Sequence, residues 1–155
     1  MFYRIIKNNN LKRLPPDGVY TVAGVRDGDS VYLRHGKKLV HVRLNGIDTP
    51  ELKQPAGRDA KQFLSHLILH HAVRVRFHGK GKYSRAIADL YIKNTNVALF
   101  LLSSGYAWVY VAYCPSDRLS SWLKHQNRAR SAKVGLWDND NPIQPWVYRR
   151  FKRML

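Results

Sequence analysis

Nine consecutive residues, Arg43-Leu44-Asn45-Gly46-Ile47-Asp48-Thr49-Pro50-Glu51, combine a cation, two carboxylates and a turn. Glu51 is the only glutamate in the chain, and it follows Asp48 closely in a protein with 27 Lys and Arg against 10 Asp and Glu. Acids kept beside arginine in so cationic a chain suit metal-assisted phosphodiester chemistry. They supply oxygen ligands for a divalent ion and a base for water, while fixed positive charge meets the phosphorane. Asp27, Asp29 and Arg85 stand at other expected strand ends and could join them.

Alternation of apolar and polar residues supplies the elements that would position this group. Val19, Thr21, Ala23 and Val25 share one face of a first strand that closes at Asp27-Gly28. Ser30 to Arg34 reads as a second strand. After a turn at His35-Gly36-Lys37-Lys38, Leu39 to Asn45 reads as a third, with Val40, Val42 and Leu44 inward. His41, Arg43 and Asn45 then fall on the opposite face, so period two aims Arg43 away from the core. Asp29 would leave one turn as the second strand starts and Asp48 another as the third ends, which could bring both acids to one rim. Pro50 ends the pattern. Ala60, Phe63, Leu64, Leu67, Ile68 and His71 recur at helical spacing, predicting a helix over about 58–70. A fourth strand follows from Ala72 to His78 and a fifth from Ala86 to Lys93. A short helix capped by Asn94 or Thr95 runs to Ser104 with Gly105 past its end, Trp108 to Tyr113 reads as extended, and a last helix opens at Ser116-Asp117. Short strands with a helix inserted after the third favour a small Greek-key barrel of the OB type over a sandwich.

The 155 residues suit one domain. We divide the chain into a basic N-terminal arm (1–16), poorly ordered or forming an added edge strand, a barrel domain (17–137) and a surface-wrapping basic C-terminal segment (138–155). A hydrophobic content of 45% excludes wholesale disorder, and a formal charge of +17 points to polyanionic partners, nucleic acid first. An anionic membrane fits less well, because the basic residues are spread along the chain instead of lining one amphipathic face. The most apolar run, 97–111, is interrupted by Ser103, Ser104 and Gly105. Met1 to Leu14 lacks an apolar core segment, so the protein is read as intracellular, or as secreted with its leader removed. Cys114 is alone and carries no redox argument.

The motifs Asp27-Gly28-Asp29-Ser30, Val42 through Glu51, Lys82-Tyr83-Ser84-Arg85, and Val134-Gly135-Leu136-Trp137 with Pro145-Trp146 resemble the thermonuclease (staphylococcal nuclease-like) family over about residues 19 to 149. The resemblance implies an α+β fold, a five-stranded OB-fold Greek-key barrel with three helices. It also implies calcium-dependent cleavage of DNA and RNA to 3′-phosphate products by a monomer, although spacing leaves magnesium and manganese open. Matched position by position, Asp29, Asp48 and the Thr49 carbonyl correspond to metal ligands and Glu51 to the general base. Arg43 and Arg85 correspond to the phosphate-holding arginines, and Lys82, Tyr83 and Tyr113 to the substrate-binding surroundings. The alternative is a non-catalytic OB module that binds nucleic acid by charge and stacking.

Two departures stand out. Gly81 and Ser84 replace an acid and a turn glycine usual in the family; a positive φ at Ser84 would carry strain of about 1 kcal/mol and could re-aim Arg85. Ser30 stands for a usual threonine and keeps its hydroxyl. Several residues have plainer readings: Asp27 as a turn former, His66 and His70 as a solvated helix face without a third ligand, Trp108, Trp122, Trp137 and Trp146 as core. Arg74, Arg76 and the run from Arg149 to Arg153 read first as solvated surface, with phosphate tracking the other option.

Overall fold

The computed structural model describes residues 13–155; the expected N-terminal arm lies, up to residue 12, outside them. Five strands build the barrel: β1 (Gly18–Val25), β2 (Ser30–His35), β3 (Lys38–Leu44), and, after a two-residue β4 (Ile47–Asp48), β5 (Ala72–Lys80) and β6 (Ala86–Ile92). The sheet runs β3-β2-β1-β5-β6, and parallel pairing of Val42 with Ala86 and Leu44 with Ala88 closes it. Among the described residues, closure leaves no long edge open to another chain. A short β7 (Thr95–Asn96) turns back on β6, and β8 (Trp108–Val109) pairs with β4.

Alternation does the sorting. Val42 and Leu44 are buried with Arg43 between them on the outside, and in β5 Val73 and Val75 are buried while Arg74 and Arg76 are exposed. In β1 the core face is Tyr20 and Val22, whereas Val19 is left 65% exposed. Tyr20 can go inside because its hydroxyl donates to the Pro16 carbonyl at 2.7 Å, leaving no stranded polar atom.

The described residues hold four α-helices where three were expected: α1 (Gly57–Ile68), α2 (Val97–Ser103), α3 (Ser116–Ser131) and α4 (Pro145–Met154). The fourth lies in the segment read as a basic tail. Proline in its first turn is pre-set for a helix start, and the four basic side chains from Arg149 to Arg153 obscured the rest. Ala60, Leu64 and Ile68 of α1 are fully buried over the barrel, each large one stabilising the fold by about 2 kcal/mol. The cap of α2 is Asn96, which accepts from the Ala98 amide at 3.0 Å. Asn94 is unavailable for that task, since it and Lys93 take positive φ in the tight β6–β7 turn.

Asn96 also donates to Asp89 at 3.1 Å. The Asp89 carboxylate, on β6, further accepts from Arg118 of α3 at 2.7 Å and meets His78 Nε2 of β5 at 2.6 Å. Burial works against its ionised form, but the bonds from Arg118 and His78 outweigh that and hold its carboxyl below the usual range. This one acid ties two strands to the starts of two helices.

Candidate active site

The rim above β2 and β3 is assembled by close backbone approaches. A Cβ on Gly28 would lie 2.7 Å from the Thr49 hydroxyl oxygen and 2.9 Å from Ala60 Cβ, so only glycine lets the β1–β2 turn rest against the β4 loop and α1. Asp27 accepts from the Asp29 amide at 3.1 Å, the turn-forming role expected of it. Asp29 then reaches across: its Oδ2 accepts from the Thr49 amide at 2.9 Å, and its carbonyl accepts from Leu44 at 2.8 Å. Asp48 is fixed by pairing opposite Trp108. The Glu51 amide donates to Gln54 Oε1 at 2.8 Å, Gln54 donates on to the Ile143 carbonyl at 3.1 Å, and the Glu51 carbonyl packs where a Cβ on residue 57 would otherwise sit.

Arg43 sits between the two buried aspartates. Its Nη1 lies 2.9 Å from Asp29 Oδ1 and its Nη2 3.1 Å from Asp48 Oδ1, with Nη2 also donating to the Ile47 carbonyl at 3.2 Å. The two carboxylates drive its pKa up despite burial. Arg85 approaches the same group more loosely. It donates to the Lys82 carbonyl at 3.2 Å and makes a long contact of 3.4 Å to the Ser30 hydroxyl, which itself lies 3.4 Å from Asp29 Oδ1. Thus the hydroxyl retained at Ser30 links Arg85 to the acids. Ser84 has φ 58°, and Tyr83 beside it φ 60°, so the substituted glycine position is indeed left-handed. The Arg85 guanidinium lies 5.8 Å from the Tyr83 ring centre. Lys82, Tyr83 and Tyr113 are exposed, Tyr83 more than Tyr113, and Tyr113 rests edge-on against Tyr110. His66 is exposed on α1, while His70, also exposed, lies past the helix end at φ 66°, so the two do not share a helix face and the helix ends at Ile68, short of the expected residue 70.

Arg149 of α4 was not among the expected site residues. Its Nη2 lies 2.6 Å from Asp48 Oδ2, and its Nη1 lies 2.8 Å from Glu51 Oε1 and 3.2 Å from Asp48 Oδ1. The acids lie 98 and 101 residues earlier in the chain, and no local pattern marks one arginine of a basic run as the one that turns inward.

The acids differ in their hold on a proton. Burial raises Asp29, but the Arg43 charge and the Thr49 amide overcome it, so its carboxyl lies below the usual range. Asp27 has no such partner: burial first, then the charge on Asp29, push it up to about 7. The rim therefore gathers four acids among Arg43, Arg85 and Arg149, and the one least engaged by arginine, Asp27, holds its proton most tightly. Buried carboxylates at Asp29 and Asp48 are hard oxygen donors of the right type for a divalent cation. Among the described residues no group of three or more His, Cys, Asp or Glu is arranged to hold one. An ion here would complete its shell with backbone carbonyls, water or phosphate oxygens.

A closed five-stranded barrel with acids and arginines gathered on one rim defines an OB-type domain equipped to meet phosphate. The model of the family described as staphylococcal nuclease homologue matches residues 41–139. The chain is 36% identical over 132 residues to an uncharacterized endonuclease of Escherichia coli O157:H7, covering 84% of each. It is 35% identical over 134 residues to an uncharacterized endonuclease of Haemophilus influenzae, covering 86% of this chain and 74% of that one. With staphylococcal-like nuclease CAN1 of Arabidopsis thaliana it shares 37% identity over 116 residues, 75% of this chain. This chain belongs to the staphylococcal nuclease homologue family. It matches only 35% of the Arabidopsis protein's length and 42% of that of an uncharacterized 38.1 kDa protein of Capnoides sempervirens.

Proposed function

We propose that the protein is a calcium-dependent, sugar-non-specific endonuclease that hydrolyses DNA and RNA to products ending in a 3′-phosphate. One observation carries this: Arg43 joins Asp29 to Asp48 at 2.9 and 3.1 Å, which places fixed positive charge beside two buried hard-oxygen donors. Asp29, Asp48 and the Thr49 carbonyl would hold the cation. When bound, it supplies Lewis-acid polarisation of the phosphate and orientation of the attacking water.

The remaining steps fall to the chain. Glu51, with its side chain 39% exposed and so open to water, accepts a proton from the nucleophile. The water oxygen bonds to phosphorus, the bond from phosphorus to the 5′ oxygen breaks, and that oxygen takes a proton from solvent. Arg43 and Arg85 donate to the phosphate oxygens as charge builds, and guanidinium groups suit this because they stay protonated and bind bidentately. Lys82 would contact the backbone, and Tyr83 and Tyr113 offer exposed rings to bases of any identity.

A second reading, a binding module without catalysis, draws on the ion pairs that already neutralise Asp48 and Glu51 through Arg149. Incubation with single-stranded DNA, duplex DNA and RNA separates the two. Cleavage that needs calcium, stops in chelator and leaves 3′-phosphate ends supports the nuclease. Intact substrate with binding that weakens steeply as salt rises supports the module.

A further inference from the structure

The proposed chemistry leaves Arg149 without a task, yet it makes three contacts at the rim, as many as Arg43. Both oxygens of Asp48 are engaged by guanidinium nitrogens, Oδ1 by Arg43 and Arg149 together and Oδ2 by Arg149 alone, and Glu51 Oε1 is taken as well. A carboxylate has about four lone-pair directions. Three of those on Asp48 are taken, so a dication would find only the remaining direction on Oδ2 and would stand against a second positive charge. Glu51, meanwhile, has its Oε1 held by Arg149, which leaves only Oε2 to take a proton.

The helix that delivers this arginine is lightly attached. Pro145 is its only buried residue, and residues 150–155 are all exposed. Its anchors lie in the first turns: Trp146, stacked on Tyr110 at 5.1 Å with the rings 5° apart and edge-on to Trp108 at 6.0 Å, Tyr148, which lines a small cavity with Pro50 and Trp108, and Arg149 itself. Trp108 is the β8 residue paired with Asp48. The same short ladder therefore positions the acid and seats the helix that covers it.

We infer that Arg149 is a built-in competitor for the cation: its guanidinium fills the seat between Asp48 and Glu51, so that a bound dication and the docked end of α4 exclude each other. This rests on the proposal that Asp48 is a cation ligand. By linkage the coupling works in both directions, so docking of α4 weakens cation binding by the factor with which the cation releases α4. A site built this way stays closed at low cation concentration and opens Glu51 when the ion arrives.

The test uses the full chain as wild type, Arg149→Gln and Arg149→Lys, with calcium affinity read by titration calorimetry and amide exchange followed over residues 145–154. Arg149→Gln is expected to bind calcium about tenfold more tightly. In the wild type calcium should speed exchange in the last turns of α4; in Arg149→Gln those turns should exchange fast already and ignore calcium. Lysine keeps the charge but loses the fork, so that variant should fall between the two. Equal affinities in wild type and Arg149→Gln overturn the competition while leaving the cation site standing. So does tighter binding with no response of α4, or an Arg149→Lys protein that matches wild type, because general charge repulsion would then account for everything. If no variant binds calcium, the cation reading of Asp48 falls, and the competition with it.

Discussion

Two acidic clusters occupy this barrel, and they are built to opposite ends. At Asp89 one carboxylate meets three donors, from His78, Asn96 and Arg118, within 2.6 to 3.1 Å. Its charge is settled and it is 1% exposed. At the rim, Asp29, Asp48 and Glu51 crowd around Arg43 and Arg149, Asp27 behind Asp29 is pushed up to about 7, and the two arginines share one oxygen, Asp48 Oδ1. A settled buried charge cross-links elements; an unsettled one near solvent is ready for a ligand that the chain itself does not supply. The difference separates architecture from function in a molecule where arginine–carboxylate contacts alone do not.

Substitutions should divide along that line. Arg85→Ala should lower the rate of nucleic-acid cleavage about 10²- to 10³-fold, the loss typical of one donor to a developing oxyanion. Its thermal midpoint should hardly move, since Arg85 makes only a carbonyl bond and a long hydroxyl contact within the chain. Asp89→Ala should do the reverse. Removing it strands Arg118, Asn96 and His78 together, destabilising the fold by about 3 kcal/mol, a drop of roughly 6–12 °C in the midpoint, while per-molecule activity well below that temperature persists. A mutant of either kind that lowered both quantities together would erase the distinction.

Asp27 offers a finer comparison through pH. Its folded pKa of about 7 lies above the ordinary 3.8, so the folded protein binds this proton more tightly than the unfolded chain does. In chelator, its contribution to stability is therefore greatest at acid pH and is lost as pH rises through about 7. Asp27→Asn should flatten that slope and leave the protein about 2 kcal/mol more stable at pH 8, as read from urea unfolding across pH. Asp89 titrates in the opposite sense, its carboxyl being held low, so its contribution is present above the ordinary carboxyl range and fades as pH falls below it. The smallest effect is at the turn. Ser84→Gly should relieve the left-handed backbone there and stabilise the protein by about 1 kcal/mol or less.

The rim was largely legible in the sequence because its parts are local. The Asp27-Gly28 turn and period two through Arg43 pointed Asp29, Arg43 and Asp48 toward one rim, although the third strand was carried one residue too far, into the turn at Asn45, and Glu51 was assigned by resemblance. The five strands followed from the same alternation, although the core face of β1 depended on the Tyr20 hydroxyl finding Pro16. What could not be read was long-range pairing. His78, Asp89 and Arg118 belong to three different elements, and Arg149 reaches its acids only through the seating of Trp146 on Tyr110. In a chain with 27 Lys and Arg, which cation finds which acid is settled by packing. The α4 helix was hidden for the same reason, since its basic residues suggested a solvated tail.

The most direct test of the hydrolytic account is the initial rate at which a labelled single-stranded oligonucleotide is cut in saturating calcium by wild-type protein and by Glu51→Gln. A general base contributes about 10²- to 10⁴-fold, so Glu51→Gln should lose activity in that range with calcium affinity retained. Equal rates for the two proteins would contradict it.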